Sequence, residues 1–203
     1  MPKERRLILG TKNEDKLKEI QRLLKGAKVR VLSLAHFPAC KDVVENGKTF
    51  EANAKKKARV YSLHTRSLTL ADDSGIMVNF LNGRPGIYSA RFAGKNCNYR
   101  DNNKKLLRSL GDIPSQRRKA KFICVMALYD NGRLVNTVKG ECRGVVAFEE
   151  RGRNGFGYDP VFIPNGFSKT FAELSPSSKN RISHRGKALR AAKIAVLNYL
   201  KNK

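Results

Sequence analysis

Asp72 and Asp73 stand side by side after the apolar run Leu68-Thr69-Leu70-Ala71, with Ser74-Gly75 behind them. This pattern predicts a short buried strand that delivers two carboxylates and a hydroxyl to a turn at its end. Adjacent carboxylates repel each other and resist desolvation unless a cation neutralises them. Mg²⁺ is the usual cation beside phosphate, because it takes few carboxylates and shares its shell with water and phosphate oxygens. The same residues would also suit an Asx-type turn with solvated acids. The chemical reading is favoured by the chain's attraction for anions: 42 Lys plus Arg face 17 Asp plus Glu, a formal charge of +25.

Three groups of cations fall where helix physics disfavours them. Lys16 sits in the first turn of a helix expected over 14–25. A cation at that end of the dipole is unfavourable by up to about 1 kcal/mol. Glu14 and Asp15 can offset it, or a bound phosphate can turn the conflict into a site. On a second helix, over 49–64, Lys57 shares a stripe with Phe50, Ala54 and Tyr61, next to Asn53, while Lys55 and Lys56 point away. An inner-face lysine either snorkels or faces an anion-filled cleft, and the cleft is the preferred reading. On the last helix, over 183–200, His184 and Arg185 occupy the first turn, with Lys179 just before it. Arg185 lines up with Leu189 and Ala192 and is expected to project inward, towards an anion or a core carboxylate. Between these groups lies Gly155-Phe156-Gly157-Tyr158-Asp159-Pro160. Glycines on both sides leave the Phe156 ring open to stack on a nucleobase, worth about 1–3 kcal/mol per base. A Gly-rich turn with an aromatic plug is the alternative.

The elements that must position these residues read as α/β. A strand around Leu7-Ile8-Leu9, the first helix and a strand over 29–32 come first. A loop over 38–48, the Lys57 helix and the Asp72-Asp73 strand follow. A helix is expected over 99–110. Strands over 121–129 and 133–138 flank Asn131-Gly132, a strong hairpin signal, and a further strand covers 144–148. Ser175-Pro176 opens a short helical turn, serine as cap and proline at the first position. The hairpin breaks strict βαβ alternation and predicts a mixed twisted sheet flanked by helices, in two lobes with a central cleft. With 203 residues, 40% of them hydrophobic, the chain suffices for one domain of this kind, 1–203.

Other functions find little support. Cys40, Cys97, Cys124 and Cys142 are far apart, and no signal-peptide pattern is seen, which predicts free thiols in a reducing cytoplasm. The three histidines are too scattered for a zinc site. No apolar run reaches the length of a membrane span, and neither the P-loop nor the dinucleotide fingerprint is present. The basic residues are spread along the chain, densest at Arg117-Arg118-Lys119-Ala120-Lys121. Such a spread reads as a solvated surface that retains nucleic acid non-specifically at low salt. A basic nucleic-acid-binding protein is the second reading.

Taken together, the motifs resemble those of the Ham1-type inosine triphosphate pyrophosphatases. The likeness runs through 11–16, through 45–54 with Lys57-Ala58, through Asp72-Asp73-Ser74-Gly75, 85–91 and 156–159, and closes at Ile182-Ser183-His184-Arg185-Gly186. It departs from the family's frequent pattern at Lys12, Val44 and Asn79. The resemblance implies hydrolysis of inosine, deoxyinosine and xanthosine triphosphates to monophosphate and pyrophosphate, with Mg²⁺, by a homodimer that cleanses the nucleotide pool. It implies that Asn13, Lys16 and Lys57 hold phosphates, with Thr11 and Lys12 in the same loop. Glu45 and Asp73 would hold the metal with Asp72 beside them, Asp73 also serving as general base. Ser74 would contact substrate and Phe156 would stack on the base. Gly157, Tyr158, Asp159, Lys179, His184 and Arg185 would complete the base pocket.

Overall fold

The computed structural model describes residues 5–12, 17, 20–22, 24–26 and 29–202. Six strands form one mixed sheet in the order β2-β1-β3-β4-β5-β6. Strand β1 (Arg6–Leu9) pairs in parallel with β2 (Arg30–Ser33) and with β3 (Leu68–Val78), as a central apolar strand should. Leu7, Ile8 and Leu9 are buried accordingly. Strands β4 (Lys119–Asp130) and β5 (Arg133–Val146) are joined at Asn131-Gly132, and β6 (Phe162–Pro164) pairs antiparallel with β5. Both turn residues take positive φ, 44° and 82°, which is what a two-residue hairpin of this hand demands.

Helix α1 (Phe50–Thr65) starts at Thr49, whose side chain accepts from the Ala52 N–H at 3.0 Å. Such a cap is worth about 1 kcal/mol. Helix α2 (Tyr99–Leu110) opens with a capping box between Asn98 and Asp101. Helix α3 (Pro176–Ile182) is capped by Ser175, and α4 (His184–Lys201) follows it. In the first helical stretch, Leu17 and Ile20–Arg22 are helical, and Leu17, Ile20 and Leu24 are buried. Among the described residues no helix is long and apolar enough to cross a membrane.

The chain divides into two compact units. One comprises Met1–Asp73, Val125–Lys139 and Ala188–Lys203; the other comprises Ser74–Cys124 and Gly140–Lys187. Ile8, Leu34, Cys40 and Tyr61 form a core cluster of the first. Phe122, Phe162, Phe171, Val146, Leu106 and Ile76 belong to the core of the second.

Three expectations change. The strand carrying Asp72 and Asp73 does not end in a turn: β3 runs on through both acids to Val78. Gly75 permits this, since a Cβ there would come within 2.6 Å of the Gly86 carbonyl oxygen. The Ile76 N–H then donates to Ser89 Oγ at 3.0 Å, so a side chain replaces the missing ladder partner. The two strands expected over 133–138 and 144–148 are one strand, β5. The basic cluster over 117–121 is not wholly a surface feature. Arg118 is buried and donates to the carbonyls of Val146, Gly111 and Ala147 at 2.8–2.9 Å.

Candidate active site

Helix α1 and strand β3 place the acids of the first unit. Asp73 and Asn53 are both buried. Asn53 Nδ2 donates to Asp73 Oδ2 at 2.9 Å, and Asn53 Oδ1 accepts from the Gly47 N–H at 2.8 Å. The amide is thus fixed at both ends, and its orientation follows from its partners. A single residue ties the strand, the helix and the loop before the helix together. Gly47 belongs there because a Cβ would lie 2.6 Å from Asn53 Oδ1.

One turn further along α1, Lys57 Nζ donates to Glu45 Oε1 at 2.7 Å. Its side chain is 12% exposed, so this lysine faces inward as its helical position predicts. Burial pulls the Lys57 ammonium down, but Asp72, Glu45 and Asp73 outweigh it and hold the group above its ordinary value. Lys57 is therefore charged among three carboxylates. Lys56, expected to point away, is exposed but anchors the same loop through the Val44 carbonyl and Asn46 Oδ1 at 2.9 and 2.7 Å. Lys55 pairs with Glu51 one turn back, as an exposed helix face allows.

Thr11 closes the turn after β1, its carbonyl accepting from the Leu34 N–H at 3.0 Å. Lys12 is exposed and forms an ion pair with Asp42 at 2.9 Å, which raises its pKa. Asn13 and Lys16 lie outside the described residues.

Among the described residues no three His, Cys, Asp or Glu side chains converge into a ready metal cage. Adjacent Asp72 and Asp73, with Glu45 nearby on Lys57, still suit a hard cation. Mg²⁺ is held by one or two carboxylates plus water and phosphate, and dedicated all-protein cages are not its habit. These three are the residues that could hold it.

The second unit carries the aromatic cluster. The loop around Phe156 is tied down by Asp159, which is buried and accepts from the Phe156 N–H at 2.8 Å and from Lys179 Nζ at 2.5 Å. Gly155 takes φ +78°, and a Cβ there would stand 3.1 Å from Lys179 Nζ and closer still to Asp159. Asn103 Nδ2 donates to the Gly157 carbonyl at 3.1 Å, and Tyr158 is buried with its hydroxyl bonded to the Ser89 carbonyl at 2.9 Å. Burial pushes the Tyr158 phenol well up, so it stays protonated. Phe156 itself is 46% exposed. Lys179 Nζ and Arg185 Cζ each lie 5.1 Å from its ring centroid, and the Tyr99 ring is 6.0 Å away. Arg185 also donates to Ser74 Oγ at 3.3 Å. The cluster therefore offers a half-open ring bordered by two cations, the geometry of a site for a flat, electron-rich ligand.

His184 is placed differently from its neighbours. It is buried and stacked on Phe122 at 4.5 Å with the rings 6° from parallel. Its position in the first turn of α4 is as expected, but its ring packs in the core. Asn53, Lys56, Ser89 and Asn103 were not singled out by sequence reasoning. For Asn53 a signal existed: it lies one turn before Lys57 on the same buried stripe, and a polar residue there needs a partner.

The model of the Ham1 family matches residues 7–195. The chain belongs to the Ham1 family. It is 46% identical over 195 residues to a dITP/XTP pyrophosphatase of Desulforamulus reducens, covering 96% of each chain. It is 47% identical over 184 residues to the protein so named in Geobacter sulfurreducens, covering 91% of this chain and 92% of that one. A HAM1 protein from Coxiella burnetii superimposes with a TM-score of 0.90 at 38% identity, covering 96% of this chain and 99% of that one. The α/β fold with a mixed sheet is thus the family's fold. The acid cluster and the aromatic cluster both lie inside the stretch that the Ham1 model matches.

Proposed function

We propose that this chain hydrolyses non-canonical purine nucleoside triphosphates, those of inosine, deoxyinosine and xanthosine, to the monophosphate and pyrophosphate. The observation that carries the reading is the Asp73–Asn53–Gly47 chain of hydrogen bonds beside the Lys57–Glu45 pair, in a Ham1 chain close to proteins named dITP/XTP pyrophosphatase. The reading takes the molecule as one functional domain, 1–203.

In this reading, Lys57 exchanges part of its hold on Glu45 for phosphate oxygens, together with Lys16 and Asn13, and Thr11 and Lys12 close the loop. Asp73, oriented by Asn53, takes the proton of the attacking water. Glu45, Asp73 and Asp72 would hold Mg²⁺, which would supply charge neutralisation on the phosphates. Phe156 stacks on the base, and Ser74, Gly157, Tyr158 and Asp159 shape its surroundings. Arg185 and Lys179 present donors, which a 6-oxo group accepts and an adenine amino group does not. A site built on one specific hydrogen bond can reject a mismatched analogue by roughly 10⁴-fold. His184 acts by packing under this region. Homodimeric assembly and a cytoplasmic setting belong to the same reading.

The second reading, a nucleic-acid-binding protein, keeps the net charge of +25 but loses part of its basic run. Of the basic run, Arg118 is buried, and Lys121 stands 3.7 Å from Glu141.

The test is pyrophosphate release with Mg²⁺ from deoxyinosine triphosphate against deoxyadenosine and deoxyguanosine triphosphates, for the parent chain and Asp73→Asn. Preferential turnover of deoxyinosine triphosphate, lost in a folded Asp73→Asn variant, is expected. Equal rates on all three would defeat the specificity, and retained turnover in the variant would defeat the role of Asp73.

A further inference from the structure

Helix α2 carries two adjacent asparagines, Asn102 and Asn103, each only 2% exposed. They differ in how much of the amide is used. Asn102 Oδ1 accepts from the Ala93 N–H at 2.7 Å and from the Cys97 thiol at 3.3 Å, and its Nδ2 donates to the Ala90 carbonyl at 3.2 Å. It fastens the segment before the helix with both ends. Asn103 Nδ2 donates to the Gly157 carbonyl at 3.1 Å, but its Oδ1 is buried without a hydrogen-bond partner. The orientation is forced, because only the NH₂ end of the amide can face a carbonyl. A buried acceptor left idle is destabilising, and an apolar side chain of similar shape would avoid it. The core therefore gives no reason for an asparagine at 103. What the asparagine adds is its bond to Gly157.

Gly157 has little else to fix it. Its φ is +65°, a region that glycine enters freely, and beyond its chain neighbours no atom lies within 4 Å of the place a Cβ would take. Packing thus leaves this peptide room to turn. On the other side of the ring, the Phe156 N–H is held by Asp159 at 2.8 Å. Asp159 and Asn103 together pin the backbone before and after Phe156. Tyr99 lies one turn before Asn103, on the same face of α2, and its ring stands 6.0 Å from that of Phe156.

We propose that Asn103 is a positioning residue of the Phe156 site: by holding the Gly157 carbonyl it keeps the half-open ring in the orientation on which a purine base stacks. The inference rests on the reading that Phe156 stacks on the base. Asn103 acts through the ring and does not itself touch the ligand. Stacking is made in the ground state and the transition state alike, so its loss raises KM and leaves kcat little changed.

Two measurements test it on the parent chain, Phe156→Ala, Asn103→Leu and the double variant: calorimetric titration with inosine monophosphate, which has no anhydride to cleave, and steady-state turnover of deoxyinosine triphosphate. Asn103→Leu should weaken binding about tenfold, within the range for a stacked base, and raise KM by a similar factor with little change in kcat. Its Tm should stay close to that of the parent, because the idle acceptor leaves with the asparagine. Added to Phe156→Ala it should weaken binding no further, since both act through one ring. Asn103→Ala takes its place if Asn103→Leu does not fold. Binding kept in Asn103→Leu but weakened in Phe156→Ala would overturn the role of Asn103 alone, whether or not Tm falls. Fully additive losses would overturn its action through the ring. Binding unchanged in Phe156→Ala would overturn the stacking reading, and the role of Asn103 with it.

Discussion

At Asp73 a carboxylate is held by a neutral amide, which is itself held by a backbone N–H; at Asp159 a carboxylate is held by a lysine and by the N–H of Phe156. The two acids are about equally buried, yet their charges have different fates. A neutral donor orients a carboxylate without cancelling its charge, which suits the role proposed for Asp73 in metal binding and proton transfer. A direct lysine partner cancels it, so Asp159 serves to pin the Phe156 loop. The burial of a carboxylate therefore says little about its role until its partner is known.

The largest effect that would break this comparison is expected at Lys179. Lys179→Met leaves Asp159 buried without its cation and should lower stability by about 3–5 kcal/mol, read by urea denaturation. A loss no larger than that of an exposed surface pair would mean that the charge of Asp159 is not cancelled by Lys179. Asn53→Leu comes next. It removes a hydrogen bond to a charged group, worth about 1.5–3 kcal/mol, and frees the Asp73 carboxylate to turn. Turnover of deoxyinosine triphosphate should fall by roughly 10- to 100-fold at saturating substrate. A rise in KM with unchanged kcat would show that Asn53 serves binding instead of the orientation of Asp73.

The smallest effect sharpens the contrast through pH. Glu173 accepts from the Thr170 N–H at 2.7 Å, in the turn whose Ala172 carbonyl receives the Asn154 N–H. That bond, against some desolvation and helped by the Thr170 hydroxyl and Arg151, holds the Glu173 carboxyl below its ordinary 4.5. A depressed folded pKa gives stability that is present above pH 4.5 and lost as pH falls through the folded value. The gap in Tm between the parent chain and Glu173→Gln should thus be open at neutral pH and close in acid. A gap independent of pH would show that the turn does not need the ionised form.

Much of the molecule is legible in the sequence. The cap at Ser175, the Asn131-Gly132 hairpin and the inward face of Lys57 are local signals, written in neighbours within one turn. The continuation of β3 past Asp73 is not legible there, because Ser89 and Gly86, which support it around Gly75, are distant in sequence. Arg118 reads as surface charge in a basic run, and only the carbonyls of Gly111, Val146 and Ala147 make its burial tolerable.

The sequence by itself determined the main helices, the Asn131-Gly132 turn and which residue types are available for chemistry, because those depend on periodicity and on short-range backbone preference. Tertiary structure decided which carboxylate is matched with an amide and which with an ammonium, and that His184 stacks on Phe122. Those choices depend on desolvation and on partners brought together from far apart in the chain, and neither quantity exists until the core has closed.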